Sequence, residues 1–254
     1  MTHFYGWKPD TPDQRDILYR AVPSMPVPED LDLRPEQPPV FNQLNLGSCV
    51  GNGVPSELEA QALMQGEALT VLSRLFPYYN TRAMEGTVTE DSGCSIRDCI
   101  KSVATQGVCP ETDWPYDIRK FAIKPPKKCY TDALKFRALK YQSVPQSLSI
   151  IKSALATARG IVFGISVYES FESDSVAKSG IVPIPGQDEP MLGGHCVRLV
   201  GFTDHGYPDI PAGHFIGMNS WGTGWGMKGF FAIPYAYVTN PNLADDLWVV
   251  NAVS

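Results

Sequence analysis

Cys49, His195 and Asn219 are the residues of this chain whose types, order and surroundings point most directly to chemistry. The asparagine lies in a dense run, Gly217-Met-Asn219-Ser-Trp221-Gly-Thr-Gly-Trp225-Gly226, too ordered for ordinary loop composition. The histidine lies in Gly193-Gly-His195-Cys-Val-Arg-Leu-Val-Gly201, and the cysteine closes Gln43-Leu-Asn-Leu-Gly-Ser-Cys49. A thiol is a useful nucleophile as thiolate, and a free cysteine with a pKa near ~8.5 supplies little of it at neutral pH. A neighbouring imidazolium and the positive end of a helix both favour the charged form. Cys49 follows Gly47-Ser48, a loop-to-helix junction that would place it at such an end. Taken singly, a cysteine is usually a small buried hydrophobe and a histidine a satisfied structural residue. The three in one order, with Gln43 ahead of the cysteine, are hard to produce by accident.

The order Gln, Cys, His, Asn resembles that of the papain/cathepsin family of cysteine proteases, and the brief stretch ahead of it resembles the family's short-prosegment microbial members. The resemblance implies an α+β, papain-like two-lobe fold. A helical left lobe and a β-barrel-like right lobe would enclose the active site in the cleft between them. It implies a thiol endopeptidase that hydrolyses peptide bonds through a Cys-His-Asn site and an acyl-enzyme intermediate. Cys49 would attack the scissile carbonyl, while His195 would share the thiol proton and later protonate the leaving amine. Asn219 would orient the imidazole, and the Gln43 amide with the Cys49 backbone N–H would form the oxyanion hole. Trp221 resembles the indole that shields the Asn–His bond from water.

The same resemblance extends to the substrate cleft. Ser92-Gly93-Cys94 resembles the glycine stretch whose backbone pairs with an extended peptide. Gly93 matches the backbone-binding glycine, and Cys94 stands where a second glycine would be. Ser95, Ile96 and Gly164 are candidates for the pocket that reads the second residue before the scissile bond, and Gly194 completes the substrate-binding set. Departures are visible: Val50 replaces the aromatic that follows the nucleophile, and Gly51, Gly53 and Pro55 burden the first turns of the helix. Asn219 falls slightly beyond the family separation, for which residues 203–213, rich in Gly, Pro and Asp, offer an insertion. A catalytically weak or inactive peptide-binding homologue, or an exopeptidase or amidase on the same fold, stays open. A zinc site from Cys94, Cys99, Cys196 and His195 is disfavoured, because Cys94 and Cys99 lack the short knuckle spacing. No metal or cofactor is expected.

Length and composition fit this reading. The 254 residues suit one catalytic unit of two lobes, and 43% hydrophobic with 19% charged residues is a globular balance. A net charge of −6 argues against a nucleic-acid partner, and no apolar run approaches the ~20 residues that cross a bilayer. The expected partner is a peptide or protein substrate. The start of the chain lacks a secretory pattern. Relative to the disulfides of secreted members, Leu46, Asp91 and Asn80 stand where cysteines are expected and only Cys129 matches, which implies a reducing compartment. The expected location is cytoplasmic, or secreted if a signal has been removed; a Cys109–Cys129 bridge stays open.

Along the chain, residues 1–30 read as a proline-rich arm, with a turn of helix near 13–19. Its Phe4, Tyr5, Trp7 and Tyr19 could dock apolar subsites as a short inhibitory prosegment, or pack on the back of the domain as a strap. Residues 31–254 form the peptidase domain, about 45–140 mainly helical and about 141–240 mainly β. Spacing predicts helices over 49–72, 95–106 and 146–158 and strands over 161–168, 196–202, 214–218 and 229–233.

Overall fold

The computed structural model describes residues 3–21 and 26–253, the side chains of 251–253 excepted; the expected arm therefore lies partly outside the described residues. Two lobes meet along one buried helix. The helical lobe comprises α1 (Cys49–Met64), α2 (Leu75–Glu85), α3 (Ile96–Gln106) and α4 (Lys127–Ala133). Before it come β1 (Trp7–Lys8) and β2 (Asp30–Asp32), and β3 (Cys94–Ser95) leads into α3. The second lobe comprises β4 (Ala138–Ser143), α5 (Leu148–Ala158), β5 (Ile161–Tyr168), α6 (Asp174–Ser179), β6 (Met191–Thr203), β7 (His214–Met218), β8 (Phe230–Pro234), α7 (Tyr235–Val238) and β9 (Ala244–Val253).

The sheet order is β4-β9-β5-β6-β7-β8, with β2 paired to β6. With the helices this large antiparallel sheet makes the α+β arrangement expected from the sequence, and it does not close into a barrel among the named pairings. The named pairings never join β8 back to β4, so the ladder has two ends. Residues 203–213 form the connection between β6 and β7.

Local signals explain the helices. Ser95 caps α3 by accepting from the Asp98 N–H at 3.2 Å, and Gly107 at φ 75° ends it. Ile96, Cys99, Ile100 and Val103 are fully buried on its inner face. Helix α1 is continuous through Pro55, and Cys49 to Gln61 are all buried. Gly51 belongs there for packing: a Cβ would lie 2.8 Å from the Arg74 carbonyl and from the Tyr78 side chain of α2. The predicted helix over 49–72 is therefore shorter, and α2 follows it as a separate element. The expected helical turn in the arm is an irregular turn instead, where Asp13 accepts from the Arg15 backbone N–H and pairs with its guanidinium.

One buried ion pair joins the lobes. Arg198 on β6 donates to Glu57 on α1 at 2.6 and 2.9 Å and to Ser56 Oγ at 2.9 Å. Gln61 donates to the other Glu57 oxygen and to the Ala158 carbonyl. Both ionic side chains are essentially solvent-free. Removing one partner strands a buried charge, so Arg198→Met or Glu57→Gln should lose about 3–5 kcal/mol in urea denaturation. The double change to Met and Leu should recover most of that loss.

Candidate active site

Cys49 is the first residue of α1, where backbone N–H groups have no partner within the helix. Gly47 is fixed by its N–H donating to Asp91, which also accepts from the Tyr78 hydroxyl. Across the cleft, His195 sits on β6 and Asn219 directly follows β7. The sheet pairs Arg198 with Met218, which brings the two polar side chains together. His195 Nε2 lies 2.8 Å from Asn219 Oδ1, which also accepts from the Ser220 N–H at 2.8 Å. An amide oxygen only accepts, so Nε2 carries the proton and Nδ1 is the basic nitrogen. Nδ1 is buried and has no hydrogen-bond partner among the described residues. Trp221 stacks on the imidazole at 4.8 Å between centroids. It also meets Phe171 and Trp225 edge-on.

Gln43 is fully buried, and its amide is held at both ends. Oε1 accepts from Ser220 Oγ at 2.7 Å, which aims Nε2 toward the cleft. Nε2 donates at 2.9 Å to the Leu46 carbonyl and at 2.9 Å to the carbonyl of Phe4 in the arm. Tyr116, from the turn after α3, donates its hydroxyl to the Gln43 carbonyl at 2.8 Å. Ser220, Tyr116 and Asp91 were not expected at the site from the sequence. Of these only Ser220, inside the Asn219–Trp221 run, carried a local signal.

The arm fills the cleft. Gly6 bridges the lobes: its N–H donates to Gly194 O at 3.1 Å, and its carbonyl accepts from the Cys94 N–H at 2.8 Å. Trp7–Lys8 then pair in parallel with Cys94–Ser95. The Trp7 indole lies on Gly164, where a Cβ would come within 2.0 Å of the ring. Of the residues expected to bind substrate, Gly93, Cys94, Gly164 and Gly194 thus all meet the arm. Ser95 pairs with Lys8 through its backbone while its hydroxyl caps α3, and Ile96 is buried in the apolar cluster that takes Trp7. Cys196 also packs in that cluster, against α1 at Gly53. On the far side, His3 stacks on Trp221 at 3.7 Å, and His3 Nδ1 lies 2.6 Å from Glu172, which also accepts from the Tyr5 hydroxyl.

Further along, the arm does act as a strap. Tyr19 is buried and its hydroxyl bonds Ser153 and Thr157 of α5.

Closure changes the electrostatics. Burial pushes the Cys49 thiol up to about 11, against backbone N–H groups of Cys196 and Gly6 that pull it down. Burial likewise pushes His195 down to about 4, although the Asn219 bond favours its charged form. At Cys49 desolvation thus outweighs the oriented N–H groups that would favour the thiolate expected from the helix end. All six cysteines are free thiols.

The relatives agree with this architecture. The model of the papain family cysteine protease matches residues 27–246. An uncharacterised peptidase C1-like protein of Acanthamoeba polyphaga mimivirus is 35% identical, over 98% of this chain and 87% of its own. The structure of xylellain, a cysteine protease from Xylella fastidiosa, superposes with a TM-score of 0.90 at 36% identity, covering 98% of this chain and 96% of its own. A procathepsin B from Trypanosoma congolense shares the fold at 16% identity, with a TM-score of 0.76 over 99% of this chain and 87% of its own. The chain belongs to the papain family of cysteine proteases, hydrolases that act on peptide bonds.

Proposed function

We propose that the chain is a thiol endopeptidase working through Cys49, His195 and Asn219, and that residues 3–8 hold it closed. The observation that carries the catalytic part is the buried His195–Asn219 bond, on a strand whose next backbone N–H, that of Cys196, reaches the Cys49 thiol. Nδ1 of His195 accepts the thiol proton as Cys49 attacks the scissile carbonyl. The developing oxyanion takes hydrogen bonds from Gln43 Nε2 and the Cys49 N–H. The imidazolium then protonates the leaving amine, and water, deprotonated by the same nitrogen, releases the acyl group. Asn219 keeps the ring in the required tautomer, and Trp221 keeps water from that bond.

Occupation of the cleft supports the closed reading. The carbonyl bonded to Gln43 is that of Phe4, and the residue in the Gly164 pocket is Trp7, which follows it in the chain. A substrate would put a residue preceding its scissile carbonyl in that pocket. The arm therefore lies in the reverse direction, and its peptide bonds present no leaving amine on the side that His195 serves. Gly6 is the tightest point of the fit: a Cβ there would stand 1.7 Å from the Gly47 carbonyl.

Two outcomes test this. In kinetics on short peptides, His195→Ala should be almost inert, Gln43→Ala should lose roughly 10²-fold in turnover, and Asn219→Ala should retain more activity than His195→Ala. A wild-type rate for Gln43→Ala would remove it from the oxyanion hole.

The second test opens the cleft without deleting the arm. Gly6→Ala should raise kcat/KM by about 10- to 100-fold, because overpacking destabilises only the closed form. Cys49 alkylation should then proceed near pH 6, whereas in the parent chain it should climb only as pH nears about 11. Tyr19→Ala should instead lower the thermal midpoint without activating. An unchanged rate and alkylation profile for Gly6→Ala would refute the lock.

A further inference from the structure

A chain of hydrogen bonds ties the loop of Gln43 to the helix that begins at Cys49. Tyr116 donates to the Gln43 carbonyl, and Ser48 Oγ lies 2.5 Å from the Tyr116 hydroxyl. Asn52 Nδ2 donates to Ser48 Oγ at 3.1 Å and to the Ser48 carbonyl at 2.9 Å. The tyrosine gives its proton to Gln43, so the serine gives its own to the tyrosine and accepts from Asn52. A second chain leaves the other end of the same glutamine. Ser220 Oγ donates to Gln43 Oε1, and the Ser220 N–H donates to Asn219 Oδ1, which also takes His195 Nε2. Both chains end on an asparagine amide. Each amide has one buried atom without a hydrogen-bond partner among the described residues: Asn52 Oδ1, an acceptor, and Asn219 Nδ2, a donor. The two residues are only 2% and 3% exposed, too little for bulk solvent to serve either atom.

Both asparagines line one cavity of about 20 Å³, between the start of α1 and the strands β6 and β7. Ser56, Arg198 and Met218 are among its other walls. A site for one water needs about 10–15 Å³ and two to four polar partners. Here Asn52 offers an acceptor and Asn219 a donor, and Ser56 Oγ, which accepts from Arg198, has a proton of its own to give. A larger ligand would not fit, and an apolar filling would leave both amide atoms unpaired. The helix carries a matching signal. Asn52 is the fourth residue of α1, in a stretch that is buried throughout. Asparagine is a poor helix former because its side chain competes for backbone bonds, and an apolar residue would pack there without that penalty.

Resting on the peptidase reading above, we propose that this cavity binds one ordered water, which takes a hydrogen bond from Asn219 Nδ2 and gives one to Asn52 Oδ1. Asn52 is then a positioning residue for the Asn219–His195 pair. An Asn219 amide turned over would set its NH2 group against the Nε2–H of His195, so a fixed partner for Nδ2 holds Oδ1 toward the ring. The water also closes a ring of bonds through Asn219, Ser220, Gln43, Tyr116, Ser48 and Asn52. The oxyanion donor and the group that orients the imidazole thereby belong to one cooperative network.

The test joins a double-mutant cycle to a crystal structure. In the full chain carrying Gly6→Ala, Asn52→Leu keeps the volume and removes both polar atoms. It should lower kcat on a short peptide by about tenfold with KM unchanged. Asn219→Ala removes the group through which Asn52 acts, so adding Asn52→Leu to it should change kcat by less than about twofold. An undiminished kcat for Asn52→Leu would overturn the proposal. So would an equal loss with and without Asn219, because Asn52 would then merely support the helix. The second readout depends neither on activity nor on how the variants fold. A high-resolution crystal structure of the unsubstituted chain should show one water within about 3.2 Å of both Asn52 Oδ1 and Asn219 Nδ2. A cavity without that density overturns the proposal. Failure of the peptidase reading looks different: Asn219→Ala would turn over as fast as the Gly6→Ala chain, or neither would cleave. The crystallographic water then decides alone.

Discussion

The contact between the start of α1 and strand β6 is the constraint on which the rest depends. It sets the Cys49 end of α1 in one lobe against the strand of the other lobe that carries His195, and the covalent link between those elements is a long stretch of chain. The Arg198–Glu57 pair fixes that contact from inside. Burying two charges is expensive, and an apolar pair of similar volume would hold the lobes about as well. What the ion pair adds is register: its hydrogen bonds to Ser56 and, through Glu57, to Gln61 are met in only one rotation of α1. A helix buried on every side has no solvent face to orient it, so a polar clamp can do so.

The arm turns the same cleft into a closed one by two physical means. It bonds the backbone edges of both lobes, with Gly6 bonded to Gly194 on one side and Cys94 on the other. Burial in the covered cleft also pushes the Cys49 thiol up and the His195 imidazole down, which disfavours the charged form of each. A thiolate–imidazolium pair is favoured where solvent and oriented N–H groups can support it, and the covered cleft withdraws the solvent. Further along the chain Tyr19 ties the arm to α5, so one segment both covers the cleft and packs on the second lobe. The two contacts separate by position: Phe4, Gly6 and Trp7 lie in the cleft, and Tyr19 meets α5 beyond Pro12.

Parts of the fold were legible because their signals are local. Strand β5 is a short apolar run that the sheet buries almost completely, and α3 carries its cap, its apolar face and its glycine stop within a dozen residues. Helix α2 was not legible. Its buried face includes Asn80, Thr81 and Arg82, whose side chains bond carbonyls within and beyond the helix, so polarity and burial disagree there. Strand β9 was hidden for a related reason: it opens with Asp245 and Asp246, and Asp246 is placed at φ 54° by an irregular ladder. A barrel was expected from resemblance alone, and strand pairing decides closure only after distant segments have met.

The sequence by itself determined the family and the order in which Gln43, Cys49, His195 and Asn219 occur, because those residues stand in distinctive local runs. It also determined the helix end under Cys49 and the aromatic cover from Trp221, since both sit next to the residues they serve. Tertiary structure alone decided which carboxylates face the cleft: Glu172 and Asp246 lie far apart in the chain and are ordinary charged residues where they stand. It also decided the direction in which the arm runs and the protonation state of the site. Each of these depends on burial and on contacts between distant segments, and neither has a local sequence signature.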